Sequence, residues 1–245
     1  KPDFWLELST FILDASPDRR HINISLDDFR SSLALALRSF EKLRQEYLLD
    51  SRYFYHAGRL GNTLRSVGVP LSGAFIEEKL KTSLTLSPKR VDIYYELAEL
   101  ERSKGNYDAM LEYLNQALAI NENVPQTHFN LGIAYASVGR LEDAIKEVDM
   151  AETLGYRGWQ SNYNEVTFII DIYIMAKRYD EKLIELYKIA INLNPKDPQL
   201  YGSLAFLLKE LGRPDEAAVY AKKVMELDPS REWEVKEFLE SLVPR

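Results

Sequence analysis

The 245-residue chain contains no cysteine. That excludes disulfide frameworks, thiolate catalysis and cysteine zinc sites, and it leaves the redox compartment unread. Long apolar runs are missing too. The nearest approach, VTFIIDIYIMA over 166–176, is too short for a membrane span and carries Asp171 at its centre, so it reads as a buried helix. Basic charge is not in excess: 31 lysines and arginines face 38 aspartates and glutamates, a net charge of −7 with the signs mixed. Nucleic-acid binding needs a basic stripe to displace counterions, so that class is excluded.

Histidine is scarce, and His21, His56 and His128 have no partner at metal-ligand spacing. No phosphate loop is present, because GRLGN at 58–62 lacks the glycine spacing and a preceding strand; its glycines are expected to let helices pack closely. Carboxylate pairs such as Glu77 and Glu78, Glu96 and Glu99, or Asp108 and Glu112 are what solvated helix faces routinely produce. The chain is therefore expected not to be an enzyme, with no catalytic, cofactor or metal residue assigned.

What the chain does have is repetition. LGIAYASVGRLEDAIKEVDMA (131–151), moved back by 34 residues, lies on LAELERSKGNYDAMLEYLNQA (97–117), matching Leu131 to Leu97, Gly139 to Gly105 and Ala151 to Ala117. Pro195 and Pro229 are also 34 apart. Within each unit, apolar residues recur at intervals of three and four in two runs separated by a short turn, the mark of paired amphipathic helices.

These residues resemble the tetratricopeptide repeat, a 34-residue helix-turn-helix unit. Its aromatic place holds Tyr94, His128, Val166 and Tyr201, and its leucine place Leu97, Leu131, Ile169 and Leu204. The small place holds Ala98, Gly132, Ile170 and Ala205; Glu101, Tyr135, Tyr173 and Leu208 take the tyrosine place. Gly105, Gly139 and Gly212 stand at the turn, with Lys177 in the third unit, and Ala117, Ala144, Ala151, Ala190 and Ala217 are the small residues of the second helices.

The resemblance implies an all-α fold, a right-handed superhelical solenoid of antiparallel helix pairs. Four repeats are placed at 91–124, 125–158, 163–197 and 198–231, with one extra residue expected in the second helix of the third, DEKLIELYKIA. A degenerate pair precedes them over 53–90. Residues 1–52 read as an amino-terminal helical cap: a short helix FWLELSTFILD, a loop SPDRRHIN, and a long helix opened by Ser25 with Asp28 in a capping-box variant. Its apolar stripe is Phe29, Leu33, Leu37, Phe40, Leu43 and Tyr47. Residues 232–241 form a closing helix in which Trp233, Val235, Phe238 and Leu239 are expected to cover the last repeat. The final LVPR (242–245) matches a thrombin-site remnant, and with a first residue other than methionine it suggests a piece of a longer parent.

In such a stack the first helix of each pair lines the concave face. The places one residue after the aromatic, then four and three further on, are Tyr95, Glu99 and Arg102; Phe129, Ile133 and Ala136; Thr167, Asp171 and Ile174; and Gly202, Phe206 and Lys209. With Asn130, these are the candidate contacts for a protein or peptide ligand with apolar anchors and a basic flank. The family's carboxylate clamp for acidic chaperone tails is not expected. Only Asn130 matches it, while Tyr95, Glu99, Asn164 and Phe168 occupy its other places.

The first expectation is thus an interaction scaffold. A second rests on another resemblance: residues 84–139, with ETLGY (152–156) closing the run, are similar to the soluble repeat-bearing tails of bacterial O-antigen ligase and polymerase-like membrane proteins. That resemblance implies an appendage of a bacterial glycan-transferring enzyme, tethered beside a membrane domain whose residues are absent here.

Overall fold

The computed structural model describes residues 25–43 and 49–242. The expected helix FWLELSTFILD, the loop SPDRRHIN, Tyr47 and residues 243–245 lie outside them, as do the side chains of Phe40 and Leu43. Among the described residues every regular element is helical. The chain divides into two compact units, Lys1–Ala134 and Tyr135–Arg245.

The first unit contains α1 (Leu26–Leu43), α2 (Ser51–Ser66), α3 (Gly73–Leu86), α4 (Val91–Lys104), α5 (Tyr107–Ile120) and most of α6 (Pro125–Ser137). At the start of α1 the Asp28 amide donates to Ser25 Oγ at 3.0 Å. The carboxylate of Asp28 accepts from the Ser25 hydroxyl at 2.7 Å rather than from its backbone, so the capping box closes through the serine alone. Phe29, Leu33 and Leu37 of α1 bury against Tyr53, Phe54, Leu60 and Leu64 of α2. A charged contact adds to this docking: Lys79 of α3, 1% exposed, meets Glu41 of α1 at 3.0 Å with its ammonium over the rings of Phe54 and Phe75. The glycines of GRLGN do serve packing. A side chain at Gly58 would run into Leu80, and one at Gly61 into Ile76.

The second unit begins inside α6 and continues through α7 (Leu141–Thr153), α8 (Tyr163–Met175), α9 (Glu181–Leu193), α10 (Pro198–Glu210), α11 (Pro214–Leu227) and α12 (Glu232–Glu240). Asn162, Asp180 and Asp197 cap α8, α9 and α10, each carboxamide or carboxylate accepting from an amide of the first turn. Pro198 and Pro214 occupy first-turn positions, where the missing N–H costs nothing.

Repeat chemistry accounts for both units. Leu97, Leu131, Ile169 and Leu204 are at most 1% exposed, and Ala117, Ala144, Ala151, Ala190 and Ala217 are fully buried where paired helices meet. The turns end alike. The residue at φ between +55° and +76° is Gly105, Gly139, Lys177 or Gly212, and its amide returns to the carbonyl three residues back while the next amide reaches five back.

The third repeat departs from expectation in one respect. Its extra residue lies in the turn and not in the second helix: α9 starts four residues after Lys177, whereas α11 starts two after Gly212. The cause is Asp180, whose carboxylate caps the Leu183 amide at 3.2 Å and holds the helix start back. The loop entering this repeat makes a 3-10 turn at Gly158–Gln160 that inserts Trp159, 1% exposed, into the core.

Candidate functional site

In the first unit, the polar candidate contacts already have partners within the unit. Glu99 and Arg102 form a bidentate pair with both bonds at 2.7 Å, the Tyr95 hydroxyl meets Thr127 Oγ1 at 2.5 Å, and Asn130 accepts from Gln126 at 3.0 Å. Ile133 is half-buried. Phe129 was expected on an open face, and the structure corrects this: it is 2% exposed. Its side chain is filled over by protein, so it packs and does not present itself to a ligand.

Beside these residues lies a buried polar cluster that was not anticipated as such. Glu96, with its side chain 17% exposed, accepts from Asn62 Nδ2 at 2.8 Å and has Arg59 at 3.6 Å. Burial raises its pKa to about 7 against the lowering effects of Asn62 and Arg59. Burial, helped by Arg90 and Arg59, depresses His56 to about 4.

The second unit is different. A cavity of about 450 Å³ opens among the ends of α8 and α9 and the faces of α10, α11 and α12. Ile174, Gly202 and Phe206, three of the expected contacts, line it. Phe206 is 57% exposed, a large cost for an aromatic side chain unless something covers it. The residues the sequence reading missed are Tyr179, Leu183, Tyr187 and Phe238. Tyr179 comes from the lengthened third turn, so the irregular register at 177–181 was the available signal.

The other candidates surround or support this cavity. Asp171, exposed and one turn before Ile174, has no ion-pair partner among the described residues, and its pKa is raised by desolvation. Its charge also helps to raise the Tyr187 phenol, whose shift is mainly due to burial. Thr167 is half-buried and donates to the Tyr163 carbonyl of its own helix at 2.9 Å. Lys209 is engaged with the closing helix, donating to Ser241 Oγ at 2.8 Å with its ammonium 5.4 Å from the Phe238 ring centroid.

The closing helix covers the last repeat less fully than expected. Val235 is buried and Phe238 and Leu239 are half-buried, but Trp233 is 75% exposed. Residues two apart on a helix point to nearly opposite sides, so seating Val235 turns Trp233 outward.

The family model described as TPR repeat matches residues 99–139, and the one described as tetratricopeptide repeat matches 186–218. This chain carries tetratricopeptide repeats. The BBSome complex member BBS4 of Bos taurus is 26% identical over 146 residues, covering 59% of this chain and 27% of its own length. The chain thus spans about a quarter of that relative. Among solved structures, that of PilF from Pseudomonas aeruginosa superposes with a TM-score of 0.65 at 13% identity, covering 98% of this chain and 96% of that one. YrrB, described as a TPR protein with an unusual peptide-binding site, gives 0.59 at 11% identity, over 79% and 94%. At these identities the structures share the fold. Tetratricopeptide-repeat proteins mediate protein–protein interaction, and no group of three or more metal-binding side chains is found among the described residues. No described helix is long and apolar enough to cross a membrane.

Proposed function

We propose that this chain is a protein-interaction module whose second unit binds a partner peptide in the cavity between α8, α10 and α12. One observation carries the reading: Ile174, Tyr179 and Phe206 are all exposed around a cavity of about 450 Å³. That volume is within the range of small-ligand and side-chain pockets, and its apolar lining matches what anchors a peptide. The peptide-binding site named for YrrB, on the same fold, supports this use of the repeat. The first unit serves as a scaffold, because its polar groove residues already have hydrogen-bond partners within the unit.

The test is capture of partners from the source cell by the chain and by Phe206→Ala and Gly202→Phe. Gly202 faces the cavity with only Val224 near it at 3.7 Å, so a phenylalanine there has room to fill the space. Both variants are expected to lose the captured protein while melting like the parent. Undiminished capture by Gly202→Phe would sink the reading.

A further inference from the structure

The closing helix continues the repeat. Trp233, Lys236 and Glu240 lie 34 residues after Gln199, Gly202 and Phe206, and Gln199, Gly202 and Phe206 all line the cavity. In the other direction, the third-repeat residue equivalent to Phe206 is Asp171, at the 35-residue spacing that also relates Val166 to Tyr201 and Lys177 to Gly212. Asp171, Phe206 and Glu240 are therefore the same repeat position on three successive first helices, α8, α10 and α12. An exposed aromatic stands between two carboxylates.

The charges around this row are unbalanced. Helix α8 has no lysine or arginine. Lysines on α10 and α12 are Lys209, engaged with Ser241 and Phe238, and Lys236, paired with Glu232 at 2.7 Å; Arg231, before α12, is paired with Glu234. Asp171, Glu210, Glu237 and Glu240 have no ion-pair partner among the described residues, and Glu210 lines the cavity itself. The lysines of these first helices and Arg231 are in use, and these four carboxylates are not. Such a face repels acidic segments and attracts cationic ones. Trp233, at the place equivalent to cavity-lining Gln199, adds an exposed aromatic suited to cation–π contact.

We propose that α12 is a wall of the binding site as well as an end cap, and that the site takes a cationic peptide segment with one bulky apolar anchor on Phe206. Asp171 and Glu240 hold basic residues on either side of that anchor, and Trp233 covers one of them. This rests on the groove reading above. Successive first helices of a stack are separated by roughly one helix diameter, about 10 Å, and an extended chain advances roughly 3.3 Å per residue. The basic residues are thus spaced about three residues before and about three after the anchor.

The probe is a phage-displayed library of random 12-residue peptides selected on the immobilised full chain at low salt. Selected sequences are expected to place a Lys or Arg about three residues from an aromatic or leucine on both sides. A labelled selected peptide is expected to lose binding to Phe206→Ser. Its binding should weaken about tenfold with Asp171→Asn plus Glu240→Gln, whose salt dependence should flatten as two ion pairs are lost. Trp233→Ala is expected to weaken binding severalfold. All these side chains are exposed, so circular dichroism melts should match the parent. Selected peptides that depend on Phe206 but are neutral or acidic would overturn the cationic proposal and leave the groove reading standing. A selection that yields no Phe206-dependent binder would overturn both.

Discussion

His128 Nε2 donates to the backbone carbonyl of Glu122 at 2.8 Å. Six residues upstream is also where the Tyr94 hydroxyl finds the carbonyl of Pro88, at 3.0 Å, and where Tyr201 finds that of Pro195, at 3.1 Å. The imidazole therefore does the work of a phenol in the aromatic place of its repeat. It seats an apolar ring in the helix pair and closes the carbonyl of the loop before it. His128→Tyr is expected to stay within about 1 kcal/mol of the parent in urea unfolding. His128→Ala should lose about 1–3 kcal/mol by leaving a part-buried carbonyl unpaired and a space unfilled. Equal losses in both variants would show that the imidazole is needed for something other than this packing role.

At the turn of the third repeat, Lys177 holds φ +55° where the other three repeats have glycine. The left-handed conformation costs a residue with a side chain about 1 kcal/mol, and the Lys177 side chain is exposed. Lys177→Gly is predicted to stabilise the chain by up to about 1 kcal/mol, less the extra entropy a glycine gives the unfolded state. Lys177→Val should destabilise it, since a β-branched residue tolerates this region worst. Thermal melts of the two variants moving in the same direction would refute the turn argument.

The cluster on α2 and α4 gives stability a pH dependence with two opposing parts. Glu96 titrates near 7 in the folded chain, above its ordinary value of 4.5, so the folded state binds more protons between these limits. Stability from this group is fully present below pH 4.5 and is lost as pH rises to about 7. His56 is depressed to about 4 from 6.5, so its contribution is present above pH 6.5 and is lost on acidification through about 4. The two slopes oppose each other between pH 4.5 and 6.5. Glu96→Gln, which keeps an acceptor for Asn62, should raise stability at pH 8 by about 2–3 kcal/mol, on the order of the shift itself. The same variant should leave a stability curve that falls from pH 6.5 to 4. Urea midpoints at half-unit pH intervals measure this directly, and an unchanged curve in Glu96→Gln would contradict the burial of that carboxyl.

How much of this was legible beforehand depended on whether a residue serves the repeat or interrupts it. Leu131, Gly139 and Ala151 were readable because identical packing demands recur at fixed distance, and their copies identify one another. His128 was assigned to packing from its slot alone, and the carbonyl of Glu122 supplies the reason. The placement of Ile174, Gly202 and Phe206 along one face was legible from helix phase, and all three line the cavity. Three things were not. Helix phase does not reveal whether a neighbour covers a position, so Phe129 was misplaced. A turn lengthened by the Asp180 cap shifts the start of α9, so Tyr179 was missed at the cavity. Last, a nine-residue helix cannot bury all its apolar residues on one side, and Trp233 was taken for a cap residue although its phase opposes that of Val235.

Helix phase places both Phe129 and Phe206 on the groove face, directly after the aromatic in one case and one turn later in the other, yet their exposures are 2% and 57%. Their alanine variants should separate packing from binding. Phe129→Ala removes a fully buried ring and is expected to cost about 3–5 kcal/mol, enough to lower the urea midpoint visibly and to impair any function through unfolding. Phe206→Ala removes contacts from a mostly solvated ring and is expected to change stability by under about 1 kcal/mol, while abolishing peptide binding. A double substitution would confound the two, since loss of binding would follow from unfolding. The single variants need to be compared at a temperature where Phe129→Ala is still folded. If Phe129→Ala, kept folded, binds the selected peptides normally and Phe206→Ala does not, the partner site belongs to the second unit. If both bind normally, the exposed ring of Phe206 is an ordinary surface residue and the cavity beside it has no peptide to hold.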